Sequence, residues 1–245
     1  MSRAWNPKEF DRVYEEFICV DEFTFGTPDY YRRYRSRYKM LIERFTAIAP
    51  AGPADVLDVG GGQLALVCKK LWNDRALLSD IPSPQFAYLK THGVETVPWN
   101  LCNGEQPFTA SFDVIFFSEV IEHLPVPGYT VFERLKKALR PGGVLICSTP
   151  NLYRLRNIVF MACGIPIYDY FHFPDAGSCG HVIEYSRDHL QWHLERAGFV
   201  QSQVEYCQMH HLPTKPIHRL FAVAGYPLFV VPRFRDNLLA TAVAP

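Results

Sequence analysis

The stretch Ala54-Asp55-Val56-Leu57-Asp58-Val59-Gly60-Gly61-Gly62-Gln63 decides how this chain folds. Val56, Leu57 and Val59 read as a short, buried strand. Three glycines follow, and an apolar helical pattern runs from Leu64 to Trp72. A strand that turns on glycines into a helix brings bare backbone N–H groups and the positive end of the helix dipole to one point. That point suits a nucleotide-like ligand in a doubly wound α/β domain. The glycines do not follow the dinucleotide spacing G-x-G-x-x-G, because Gln63 and Leu64 come directly after Gly62.

Outward from this turn, apolar runs alternate with helical patterns, the arrangement of a parallel sheet with helices on both faces. Strands are expected at 55–59, 75–79, 95–99, 112–118, 143–149, 200–207 and 237–244, the last two as a hairpin around an insertion. Pro141-Gly142-Gly143 is expected to stop a helix over 128–139 before the fifth strand. Ser186 is placed to cap a helix that ends at Ala197, with Gly198 just beyond it. Asp80 closes the second apolar run about 20 residues after Asp58. A carboxylate there can accept hydrogen bonds from both hydroxyls of a ribose.

The D-x-G-x-G arrangement at Asp58, Gly60 and Gly62 resembles the first motif of class I S-adenosylmethionine (SAM)-dependent methyltransferases. Leu135-Lys136-Lys137-Ala138-Leu139-Arg140-Pro141-Gly142-Gly143, followed by Ser148-Thr149-Pro150-Asn151, is also similar to that family. The resemblance covers roughly residues 54–200. It implies a Rossmann-like seven-stranded sheet and SAM as cofactor, held by Asp58, Gly60, Gly61, Gly62 and Asp80. It also places Asn100 and Leu101 at the adenine, where the family usually has Asp-Leu, and Ser118 beside the methyl group. Leu64 stands where the family often has glycine, which is tolerated if its side chain points into the interface between strand and helix.

Glu119-x-x-Glu122-His123 follows the fourth strand. If a helical turn begins at the strand end, these three residues share one face. Two carboxylates and an imidazole make a plausible site for a divalent cation, with His181 as a fourth ligand. The pattern resembles the ubiquinone-pathway O-methyltransferases and the RNA 3′-end 2′-O-methyltransferases. That resemblance implies a metal (Mg, Mn, Fe, Co or Zn) on Glu119, Glu122, His123 and His181, with Glu119, His123 and His181 serving catalysis. A metal-free site with His123 as general base uses the same residues. Since an alcohol must lose a proton to accept a methyl group, an oxygen acceptor is expected: a sugar or glycan, a phenol or a polyketide. A metal-free N- or C-methyltransferase is the alternative. A nicotinamide-type oxidoreductase or a non-catalytic scaffold of the same fold comes from another class.

Composition sets further bounds. Lys plus Arg and Asp plus Glu both number 25, so no basic excess points to bulk nucleic acid as a partner. The seven cysteines are scattered without a C-x-x-C pair, which fits reduced thiols and a cytoplasmic location. The N-terminus has no apolar signal-like run. The uncharged stretch Leu220–Pro232, interrupted by Gly225 and Pro227, is shorter than the roughly 20 residues that span a bilayer; a pocket wall or the interface of a homodimer is its expected place. Residues 1–50 read as two helices, rich in tyrosine, that form a lid over a SAM-binding domain at 51–245 or pack their tyrosines against its core. Insertions at 150–185, with Pro166, Tyr168, Tyr170, His172 and Pro174, and at 208–235 are expected to wall a pocket for a small or amphipathic acceptor.

Overall fold

The computed structural model describes residues 3–23, 26–103, 105–168, 180–209 and 226–245. Tyr170, His172 and Pro174, and residues 220–225 of the apolar stretch Leu220–Pro232, lie outside the described residues. Seven strands form one sheet: β1 (Asp55–Val59), β2 (Arg75–Asp80), β3 (Glu95–Pro98), β4 (Phe112–Ser118), β5 (Leu139–Pro150), β6 (Val200–Cys207) and β7 (Asn237–Val243). Their order is β3-β2-β1-β4-β5-β7-β6. The first five are parallel, while β7 runs antiparallel between β5 and β6. The order reverses between β1 and β4, so a crevice opens beyond their carboxyl ends, where such sheets bind ligands.

Alternation along the strands builds two cores. Val56, Ala76, Leu78, Val114, Phe116 and Ile146 face helices α1 (Pro7–Phe17), α2 (Pro28–Ile48) and α3 (Gln63–Trp72). Leu57, Leu77, Ile115, Phe117 and Leu145 face α5 (Gly128–Ala138) and α7 (Arg187–Arg196) on the other side. The remaining helices are α4 (Gln85–Thr91) and α6 (Leu155–Ala162), the latter within the 150–185 insertion. Ser186 caps α7 by accepting from the His189 N–H, and Gly198 adopts φ +82° just past its end. The six described cysteines are free. No described helix is long and apolar enough to cross a membrane.

The N-terminal helices belong to the first core. Asn6 and Thr27 cap them, each followed by proline in the first turn. Phe10, Tyr14, Tyr31, Leu41, Ile42 and Phe45 are fully buried against α3 and the sheet.

One boundary differs from the sequence expectation. Pro141-Gly142-Gly143 does not precede β5 but lies within it. The strand begins at Leu139, opposite Phe112, and its register then jumps so that Val144 pairs with Val114. Gly142 takes φ +79° in this bulge, a conformation glycine adopts without steric cost.

Candidate active site

The glycine turn is built by backbone conformation and close approach. Gly60 and Gly62 have φ +83° and +84°. A Cβ on Gly60 would meet Val120 Cγ2 at 2.5 Å, and one on Gly62 would meet Leu89 Cδ1 at 2.6 Å. Gly61 presents its carbonyl to the buried Gln85 amide at 3.1 Å. Leu64 is buried in the core between α3 and the sheet, so its bulk is housed.

Asp58 has a more local task than its place in the motif suggests. Its Oδ2 accepts from Leu64 N at 2.9 Å and Ala65 N at 3.1 Å, tying the first turn of α3 to the end of β1. Burial pushes its carboxyl up to about 7 against the pull of these N–H groups, and the charge of Asp80 adds to the rise. Asp80 sits half-buried at the end of β2, with the Ile81 N–H on Oδ1 at 2.7 Å. Burial raises its carboxyl to about 6. Asn100 is exposed and turns its amide oxygen back onto Cys102 N at 2.9 Å, so the acceptor expected to face an adenine is engaged within its own loop. Leu101 beside it is buried.

Tyr30, Arg37 and Tyr38 of α2 line the same cleft, together with Asp58, Gly60, Gln63, Leu64, Ser118 and Glu119. Arg37 pairs with Glu119 at 3.2 Å. Sequence reasoning singled out the tyrosines of α2 and left Arg37 aside. The signal was available, since positions 30, 34, 37 and 38 share a helix face. Glu119 has φ +56°, and its Oε1 accepts from Ser148 Oγ at 3.0 Å and Asn237 Nδ2 at 2.9 Å. Ser118 and Ser148 are joined through their hydroxyls at 2.8 Å.

The left-handed conformation of Glu119 breaks the helical spacing assumed for Glu119, Glu122 and His123. Only Ile121–His123 form a 3-10 turn, and Glu119 is held toward Arg37. The group that does converge is Glu122, His123 and His181, whose ligand atoms lie within 4.8 Å of one another. Segment 180–185 reaches this turn because Val182 N and Ile183 N both donate to Glu122 O, at 2.7 and 3.2 Å. Glu122 is buried and accepts from Thr149 Oγ1 at 2.9 Å. Burial, reinforced by the charge of Glu119, drives its carboxyl well above the ordinary range. His123 Nδ1 donates to the Gly180 carbonyl at 3.3 Å, because that oxygen can only accept. Its Nε2 lies 4.0 Å from Glu122 Oε1. The His123 and His181 rings meet edge to face, with centroids 4.8 Å apart.

This set offers one carboxylate and two imidazoles, about a quarter exposed at each histidine. It can hold a borderline divalent ion or move a proton.

The family described as "Methyltransferase domain" matches residues 30–204. A malonyl-[acyl-carrier protein] O-methyltransferase of Xylella fastidiosa (strain M23) is 33% identical over 161 residues, 58% of this chain. The match spans about half (51%) of that relative's length. Among solved structures, a SAM-dependent methyltransferase from Thermotoga maritima, described as a possible histamine N-methyltransferase, aligns with TM-score 0.58 and 12% identity. That alignment covers 96% of this chain and 99% of the other. The putative methyltransferase in complex with the Trm112 activator of Haloferax volcanii aligns with TM-score 0.62 and 16% identity, over 87% and 90% of the two chains. At these identities the structures speak to the fold alone.

Proposed function

The chain belongs to the methyltransferase-domain family, and on that premise we propose that it is a SAM-dependent enzyme that methylates a hydroxyl oxygen of a small or amphipathic acceptor, with Glu122, His123 and His181 holding a divalent cation on the acceptor side. The observation that carries this reading is the convergence of three ligand atoms within 4.8 Å at the turn that leaves β4. The carboxyl ends of β1 and β4 frame the cofactor cleft, so this turn stands at its edge.

The residues present fit the cofactor. Gly60 lines the cleft with bare backbone, Val120 and Leu89 leave no room for a Cβ at Gly60 or Gly62, and the N-terminus of α3 follows directly. Asp80 offers a carboxylate with a single hydrogen bond among the described residues, suited to a pair of ribose hydroxyls. SAM supplies a methyl group already activated by a positive sulfonium. What the chain must add is alignment of the acceptor and removal of its proton.

Glu122 and the two histidines address the second need. A cation held by them would stabilise negative charge on an acceptor oxygen as its proton leaves, the help a weakly acidic hydroxyl requires. The cation would also offset the burial of the Glu122 carboxylate, which has no cationic hydrogen-bond partner among the described residues. His123 and His181 serve as its nitrogen ligands. The described residues of segment 150–185, joined to the carboxyl end of β5, are read as one wall of the acceptor pocket. The O-methyltransferase relative is consistent with an oxygen acceptor. A metal-free reading, with an imidazole as general base, is favoured by the Gly180 carbonyl on His123 Nδ1, which leaves Nε2 with the lone pair.

Calorimetric titration of Mn²⁺ into chelator-treated protein separates the two. The proposal expects one site in the wild type that is lost in His123→Ala and in His181→Ala, while SAM affinity stays nearly constant. No heat of binding in the wild type would refute the cation and leave the general base.

A further inference from the structure

We propose that Glu184 is the positioning residue of His181: it holds the Nδ1 proton and so leaves Nε2 as the lone pair available to the acceptor side. The inference deepens the functional reading above and rests on it for the role of His181, although its own content is a tautomer that can be observed directly. Glu184 is almost fully buried and lies three residues after His181. His181 Nδ1 approaches its Oε1 at 3.1 Å. An ionised carboxylate can only accept, so the nitrogen facing it carries the hydrogen.

Glu184 is built to remain ionised and fixed. Arg154 donates to Oε1, and the Asn157 amide donates to Oε2 at 2.5 Å. Arg154 Nε in turn donates to Asn157 Oδ1 at 3.2 Å, so the two groups that grip the carboxylate also grip each other. Arg154 and Asn157 come from the start of α6. The backbone there is pinned to the His181 segment, because Leu152 N donates to Tyr185 O at 2.9 Å. The first turn of the 150–185 insertion thus fixes a carboxylate, and the carboxylate fixes an imidazole.

The arrangement is the outer-shell logic of histidine ligands, in which a carboxylate on one ring nitrogen orients the other and increases its basicity. It also gives His123 and His181 matched presentations. His123 places Nδ1 on the Gly180 carbonyl as His181 places Nδ1 on Glu184, and the two rings meet edge to face. If Glu184 served only as a counter-ion for Arg154, the tautomer of His181 would not depend on it.

The test is a long-range ¹H–¹⁵N correlation spectrum of metal-free, ¹⁵N-histidine-labelled protein, with the His181 signals assigned by their loss in His181→Gln. The expected wild-type pattern has hydrogen on Nδ1 and an unprotonated Nε2. Glu184→Gln should shift the population toward the other tautomer and weaken Mn²⁺ binding by about 10–100-fold, with SAM affinity as the control for an intact fold. Hydrogen on Nε2 in the wild type overturns the proposal, even if the variant fails to fold. An unchanged tautomer in a folded Glu184→Gln protein overturns it as well. If the wild type binds no Mn²⁺ yet shows the Nδ1–H tautomer that shifts in Glu184→Gln, the cation reading fails and the positioning role stands.

Discussion

Arg37 and Glu119 form an ion pair at 3.2 Å with side chains only 5% and 15% exposed, linking the second helix to the residue that leaves β4. The Arg37 guanidinium also lies 4.6 Å from the centroid of the Tyr34 ring. Glu119 holds its left-handed backbone under three grips, from Arg37, Ser148 and Asn237. The pair therefore fixes one wall of the cofactor cleft as well as joining helix to sheet.

Removing one partner of such a pair strands the other charge away from water, at a cost of about 3–5 kcal/mol. Arg37→Met is expected to lower unfolding stability by about 3 kcal/mol in urea titrations and to weaken SAM binding. In a double-mutant cycle, Arg37→Met with Glu119→Gln should cost clearly less than the sum of the single changes. Additive losses would show that the two residues act separately.

The glycine turn makes a prediction about cause. Gly60→Ala should destabilise the fold itself, because φ +83° strains a residue with a side chain and its Cβ would meet Val120 Cγ2 at 2.5 Å. Adding Val120→Ala should recover the part due to the clash, as judged by thermal unfolding. It should leave the part due to the backbone conformation. Full recovery would mean that crowding alone demands glycine at this position.

Much of this was legible in the sequence, for a physical reason. The strand, the glycine turn and α3 follow from neighbouring residues, as do the Ser186 cap and the Gly198 stop. The positions of β1, β2, β4 and β7 follow from runs of apolar residues that the sheet buries on both faces. The start of β5 was not legible, because Pro141-Gly142-Gly143 reads locally as a terminator. Pairing of Leu139 with Phe112 on the neighbouring strand makes it a bulge instead. Glu119 misled in the same way. Its spacing to Glu122 and His123 is helical, but Asn237 and Arg37, both far away in the chain, hold it in another conformation. Glu184 could not have been found by spacing, since its meaning depends on Arg154 and Asn157 across the insertion.

Acid should weaken the cofactor site through Asp80. Its folded-state pKa of about 6 lies above the unfolded value of about 3.9. The stability contributed by the protonated carboxyl is therefore fully present below about pH 4 and is lost as pH rises through 6. Asp58, raised to about 7, acts in the same direction. Ligand binding has the opposite sign, because ribose hydroxyls are accepted by the carboxylate. SAM affinity should rise between pH 5 and 7, and in Asp80→Asn this rise should flatten. Calorimetry across that range checks both signs, and a wild-type affinity independent of pH would argue against a ribose role for Asp80.

The acceptor cluster should behave as a unit. Once an acceptor is found, His123→Ala and His181→Ala should each remove most of the turnover, and the double variant little more, because members of one catalytic unit are not additive. Turnover by His181→Ala near that of the wild type would reduce the site to His123 alone.

SAM is expected to lie across Gly60–Gly62 with its ribose on Asp80, and calorimetric titration of SAM into the wild type and Asp80→Ala tests this most directly. The prediction is one site in the wild type and a loss of at least about 10-fold in the variant, since each hydrogen bond to a charged group is worth about 1.5–3 kcal/mol. Equal affinity in the two proteins, with both folded, would contradict the placement of the cofactor and the site built around it.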